Sequence, residues 1–146
     1  AKLINFKEIR IVLQIDLLLE FLCKFDAMSV INIQEKFKLF QDLWSPKKIG
    51  ELNGQQILLA KLKGEFVFHK HDNEDELFLV IKGTLDIELR DKTITLNEGE
   101  FYVVPKGVEH KPIAKEEVHI VLFEPLSIKH TGDVVADITV ETYESI

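Results

Sequence analysis

The 146-residue chain has a single cysteine, Cys23, so it can close no disulfide within itself. That fits a reducing compartment, and the expected location is cytoplasmic. Basic charge is also short: Lys plus Arg is 18 against 25 for Asp plus Glu, a formal net charge of -7. An acidic chain repels phosphate backbones, and no basic stripe overrides this, so nucleic acid is excluded as a partner. A long uncharged apolar run is missing as well. Residues 9–25 (IRIVLQIDLLLEFLCKF) come nearest, but Arg10, Asp16, Glu20 and Lys24 interrupt them. A membrane span needs roughly 20 mostly uncharged residues, and a secretory signal needs an unbroken apolar core, so neither is expected here. Repeats and low-complexity segments are absent from the sequence.

Hydrophobic residues at 46% and charged residues at 29% describe one ordinary globular domain with one core. The sequence begins at Ala1, and its only methionine is Met28. The expectation is that residues 1–27 are a non-native or mis-called start. The rival reading is a real N-terminal extension, part helical, packing on the domain or on a partner subunit. Within it residues 9–17 alternate, whereas Asp16, Glu20 and Lys24 carry helical spacing. Residues 29–40 read as a short strand followed by a turn of helix, and Ser45-Pro46 breaks what precedes it.

From residue 47 the texture becomes short strands and turns. The apolar runs are 56–63, 65–71, 76–81, 84–89, 92–96, 100–104 and 118–123, punctuated by Asn53-Gly54, Gly64, Asp72-Asn73, Lys82-Gly83, Arg90-Asp91, 97–99 and 105–107. Short strands with regular turns predict an all-β sandwich or barrel over residues 28–146, its core at about 47–126. No stretch here can supply the crossover helices of a parallel sheet. Residues 127–146 form a C-terminal arm or last strand.

Three of the five histidines fall in two short segments, His69-Lys70-His71 and His110. On a strand, residues two apart share a face, so His69 and His71 aim into one cavity. Glu76 opens the next apolar run, and a hairpin across the polar residues 72–75 would bring it beside them. His110 must be delivered by the fold. Three neutral imidazoles and a carboxylate suit one divalent transition-metal ion (Zn, Fe, Mn, Ni or Cu) and are too nitrogen-rich for Ca or Mg. Four such ligands leave open positions, the mark of a reactive site. A His-x-His pair alone is a weak signal. The frame of Gly83, Gly99, Pro105 and Gly107 around it strengthens the reading, since glycines there suit tight turns.

The segment GEFVFHKHDNEDELFLVIKG (64–83) resembles the first motif of the cupin superfamily, and GEFYVVPKGVEHKPIA (99–114) resembles the second. Two departures stand out. Gly64 precedes His69 by four residues where the motif has five, and Ala114 stands where it has Asn. Within the superfamily the chain is similar to the small single-domain cupins (type-2 conserved barrels), often labelled mannose-6-phosphate isomerase-like. That label follows a fold that hosts many chemistries. The resemblance implies a small antiparallel jelly-roll barrel with His69, His71, Glu76 and His110 as metal ligands. It leads to a metal-dependent enzyme on a small organic molecule, of oxygenase, isomerase or lyase type. The alternative is a non-catalytic module that binds or senses a small ligand. Glu76 is either a ligand only or also a general base.

Other candidates weigh less. His119 is expected to be structural; the rival reading is a pocket role. His130 belongs to a surface loop, Lys70 to solvent, Cys23 to an apolar setting, and Trp44 to core or interface. Phe78 and Val80 share parity with Glu76 and should line the cavity. Leu77, Leu79 and Ile81 face the other way and need a cover: another sheet, the N-terminal segment or a second subunit. This last option is the basis for expecting a homodimer.

Overall fold

A computed structural model describes residues 30–126, 140 and 142–146. The chain divides into two compact units, Ala1–Ile31 and Asn32–Ile146. Every described strand lies in the second unit, and the expectations for residues 1–27, Cys23 and His130 fall outside the described residues.

One short helix, α1 (Ile33–Phe37), opens the second unit. Five residues cannot sustain a helix alone. Asn32 caps it by accepting from Glu35 N, and Phe37 stacks on His119 at 4.5 Å. Lys61 Nζ then donates to the Phe40 carbonyl at 2.8 Å, tying the segment to the sheet beneath. The expected turn of helix is there; the short strand expected before it is not, since residues 30–32 are irregular.

Among the described residues eight strands follow: β1 (Lys47–Leu52), β2 (Gln55–Glu65), β3 (Glu76–Lys82), β4 (Leu85–Leu89), β5 (Thr93–Leu96), β6 (Phe101–Val104), β7 (His110–Pro125) and β8 (Glu144–Ser145). β7 organises them. One edge pairs with β2 from Gln55↔Pro125 to Glu65↔Ile113. The other edge pairs first with β4 (Leu89↔His110 to Asp86↔Ile113), then with β3 (Lys82↔His119 to Leu77↔Phe123). Between these partners Lys115, Glu116 and Glu117 are exposed, and the β2 register slips between Leu62 and Gly64. A long strand that bends while changing partners is how one chain turns a corner between two sheets. β5 extends the β4 side, and β6 pairs with β3. On the far side β1 pairs with β2, and β8 adds to β1 in parallel. The result is the expected all-β jelly-roll architecture. Among the described strands the ladder does not close into a ring.

The core gathers residues of β2 to β7. Leu58, Leu85, Ile87, Val80 and Ala114 are fully buried there, joined by Phe78, Val104, Ile120 and Leu122. Each fully buried Leu or Ile contributes roughly 1.5–3 kcal/mol relative to exposure. A second cluster on the outer face joins Phe37 and Phe40 to Leu59 and Val121, with Leu79 and Ile81 packed against it. This supplies part of the cover expected over β3. Phe101 and Val103 on β6 remain 61% and 39% exposed.

Three sequence readings are corrected. Residues 65–71 do not form one strand: β2 ends at Glu65, and only a bridge at His69 continues the pairing. β7 starts at His110 and not at residue 118, because Pro112 and the charges at 115–117 masked an inward alternation at His110, Pro112 and Ala114. β1 was not expected. Its Lys47 is nonetheless buried, because Asp42 and Glu144 reach its ammonium group at 3.1 and 3.0 Å.

Gly83 shows what the turns demand. Its φ of +87° lies in the left-handed region, and a Cβ there would meet the Glu117 carbonyl at 3.1 Å and Val118 Cγ2 at 3.3 Å. Only glycine lets β3 turn toward β4 beneath the bend of β7.

Candidate metal centre

His69 and His110 face each other as a doubly hydrogen-bonded antiparallel pair: His69 N donates to His110 O at 3.0 Å, and His110 N to His69 O at 2.9 Å. Residues so paired put their side chains on one face, and the two rings lie 4.2 Å apart. The fold thus delivers His110 to the first segment by a backbone bridge. His71 follows two residues on, and its carbonyl accepts from Gly107 N at 2.7 Å. Lys106 N donates to Asp75 Oδ1 at 2.9 Å. The Pro105–Gly107 turn is thereby tied to the loop leading into Glu76.

Glu76 does not arrive by the expected hairpin. β3 pairs with β6 and β7 and not with the His69 segment. The register Glu76↔Val104 sets Glu76 at the start of β3, with its carboxylate within reach of the histidines. Residues 66–68 and 70–75 hold no ladder pairing, so no hairpin forms between them and β3.

The four side chains converge on one oxygen. Glu76 Oε2 lies 2.9 Å from His110 Nε2, 3.3 Å from His71 Nε2 and 3.9 Å from His69 Nε2. All four residues are buried, at 1–5% exposure. The nearest donor atoms of His69, Glu76 and His110 lie within 4.8 Å of one another.

The backbone sets the histidine tautomers. His69 Nδ1–H donates to Val67 O and His110 Nδ1–H to Val108 O, both at 3.0 Å. A carbonyl only accepts, so the neutral rings carry their proton on Nδ1 and turn the Nε2 lone pair inward. His69 Nε2 is buried with no hydrogen-bond partner. Lone pairs aimed at a carboxylate repel it unless a cation, proton or metal, sits among them. The donor set therefore fits a transition-metal ion on physical grounds.

Electrostatics agree. Burial lowers the His69 pKa to about 4, outweighing the attraction of Glu76, so the ring is neutral. Burial alone would push the Glu76 carboxyl up. Cationic partners, the protonated rings of His110 and His71 or a metal ion among them, pull it the other way and hold Glu76 below its ordinary value.

A narrow pocket opens above His69 and Glu76, walled by Trp44, Pro46, Phe66, Phe78 and Leu122 among others. Phe78 lines it, in keeping with the parity expected of it; Val80 is buried deeper in the core. His119 faces the opposite side of β7, against Phe37 and Glu117. Lys70 is exposed and pairs with Asp72.

The sequence reading missed Glu124. It is fully buried on β7 and cross-strand from Gln56, with neither carboxyl oxygen hydrogen-bonded. Burial, then the charge of Glu76, raises its pKa well above the usual range. Its only signal in sequence is parity with Ile120 and Leu122, which face inward.

Comparison with known proteins places this geometry among relatives. A family model described as "Cupin domain" matches residues 58–128. A solved cupin-2 domain containing protein from Shewanella frigidimarina NCIMB 400 is 56% identical, with 66% of this chain and 94% of that one covered and a TM-score of 0.65. Protein NMB1881 from Neisseria meningitidis is 31% identical, with 66% and 99% covered and a TM-score of 0.62. The uncharacterized protein YdbB of Bacillus subtilis (strain 168) is 39% identical over 64 residues, 43% of this chain. The match spans 57% of that curated relative's length.

Proposed function

The chain belongs to the cupin superfamily, and from that premise we propose that it is a metal-dependent enzyme acting on a small organic molecule, by oxygenase, isomerase or lyase chemistry. One divalent transition-metal ion (Zn, Fe, Mn, Ni or Cu) is held by His69, His71, Glu76 and His110. The observation that carries this reading is the buried Glu76 oxygen with three imidazole nitrogens within 3.9 Å, at the foot of a pocket open to solvent.

When bound, such an ion supplies Lewis acidity toward a substrate oxygen, or redox chemistry with O₂ if it is iron or copper. The chain's own residues do the rest. Val67 and Val108 hold the His69 and His110 rings so that Nε2 points inward. Glu76, kept ionised, is able to take a proton from the substrate as well as to bind metal. His69 and Glu76 are the only acid or base groups that line the pocket among the described residues, so proton transfer falls to Glu76.

The same shortage of further acids and bases supports a second reading, a module that binds or senses a small ligand without turnover. Metal analysis followed by turnover assays separates them. The chain is loaded in turn with each of the five metals and incubated with a panel of small carboxylates, ketones and diols, with products read by NMR. The enzyme reading expects metal-dependent product, metal lost in His69→Ala, and metal kept but turnover lost in Glu76→Gln. Glu76→Gln with both metal and full turnover intact refutes its role as base. Metal-dependent ligand binding with no product from any compound moves the assignment to the second reading.

The half-buried Leu77 and the exposed Phe101 and Val103 on the outer face of β3 and β6 support a homodimer. The lone Cys23 supports a cytoplasmic setting.

A further inference from the structure

The pocket walls constrain what enters. Trp44 sits on one side with φ of 57°, a left-handed conformation that side chains with a Cβ adopt only at a cost. Two hydrogen bonds hold it there: its backbone N donates to Lys61 O at 2.9 Å, and its indole Nε1 donates to Lys63 O at 2.8 Å. The indole's one polar atom is thus used up by the backbone, and its ring stacks on Phe66 at 4.9 Å. Phe66 in turn sets its edge against His69 at 5.2 Å. Pro46 and Pro112 carry no N–H, and the Pro112 carbonyl is taken by Phe66 N at 2.9 Å. Phe78 and Leu122 complete the lining with hydrocarbon. Among the described residues that line it, the ones offering a free polar side chain are His69 and Glu76.

We propose that the ligand of this site is a small organic molecule with an apolar body of a few carbons and a single oxygen-bearing head group. The head meets His69, Glu76 and the metal, and the body lies between Trp44, Phe66, Phe78 and Leu122. Sugars, phosphosugars and other polyhydroxylated compounds are excluded. Each hydroxyl along such a body would be buried without a partner, and a buried hydroxyl with no hydrogen bond loses its hydration uncompensated. The inference rests on the proposed metal site only for the place of the head group; the preference for an apolar body rests on the walls.

Two isosteric pairs test it, each exchanging one terminal methyl for one hydroxyl. Pentan-1-ol and butane-1,4-diol are titrated into the metal-free chain. Pentanoate and 4-hydroxybutanoate are titrated into the chain incubated with zinc, whose uptake is measured first with zinc alone. Trp44 is the sole tryptophan, so its emission reports occupancy directly, and calorimetry gives the affinity. The expected result is tighter binding of the methyl member of each pair, by about a hundredfold, as for a hydroxyl offered to an apolar pocket. Zinc should strengthen pentanoate further. If no zinc is taken up, the metal reading fails, while the alcohol pair still decides the ligand class. Equal or tighter binding of the hydroxylated member in either pair overturns the proposal. So does the failure of all four compounds to perturb Trp44.

Discussion

Stripping metal from the chain should expose a steep acid sensitivity that belongs to one histidine. His69 is 2% exposed, and burial lowers its pKa from 6.5 to about 4. Folded chains therefore keep this ring neutral where unfolded chains protonate it. Stability from this term is complete above pH 6.5 and falls as pH drops toward about 4, below which both states carry the proton. A shift of that size is worth about 3 kcal/mol. Two other carboxyls bound the window. Glu76, held at about 2, stabilises the fold above pH 4.5 and acts mainly below the histidine range. Glu124, raised by burial, works in the opposite sense above pH 4.5, so the raw profile understates the histidine term. The clean quantity is the difference between the chain and His69→Leu, which replaces the ring with an apolar side chain that does not titrate. Urea unfolding of the chelator-treated proteins, followed from pH 7.5 to pH 4, gives it, provided the m-values match. The difference should close by about 3 kcal/mol between pH 7 and pH 4. Profiles that stay parallel within about 0.5 kcal/mol, the usual limit for independent effects, would show that His69 is not buried as described.

Three further outcomes follow from the same structure. Glu124→Gln should raise stability at pH 7 and flatten the profile above pH 4.5, since the amide has no proton to lose; thermal melts at pH 5 and pH 7.5 check the sign. Gly83→Ala should cost about 2 kcal/mol, combining the left-handed penalty of roughly 1–2 kcal/mol with the close Glu117 carbonyl; denaturant midpoints read it. Zinc at about a thousand times its dissociation constant should add about 4 kcal/mol of stability, seen as a rise in the melting midpoint that His110→Ala abolishes.

Much of the site was legible because its signals are local. The i, i+2 spacing puts His69 and His71 on one side, and the glycines after Glu76 and before His110 mark turns that φ values of +87° at Gly83 and +76° at Gly107 require. What the sequence hid was pairing. Glu76 after a polar loop looks like the second arm of a hairpin, yet its partners are Val104 and the strand that carries Glu124, far along the chain. Pro112 reads as a strand breaker, but at that position the carbonyl, and not a missing N–H, makes the cross-strand bond to Phe66. Lys47 reads as a solvent residue because nothing local announces Asp42 and Glu144 around its ammonium. Glu124 offers no chemistry by itself; its meaning comes from the facing Glu76 charge, which only the fold supplies.

The convergence of four side chains on one ion is tested most directly by the X-ray absorption spectrum of the cobalt-loaded chain. Nitrogen and oxygen alone in the inner shell, with outer-shell scattering from three imidazole rings, is the predicted result. A spectrum with fewer than three imidazoles, or with a sulfur neighbour, would contradict the account.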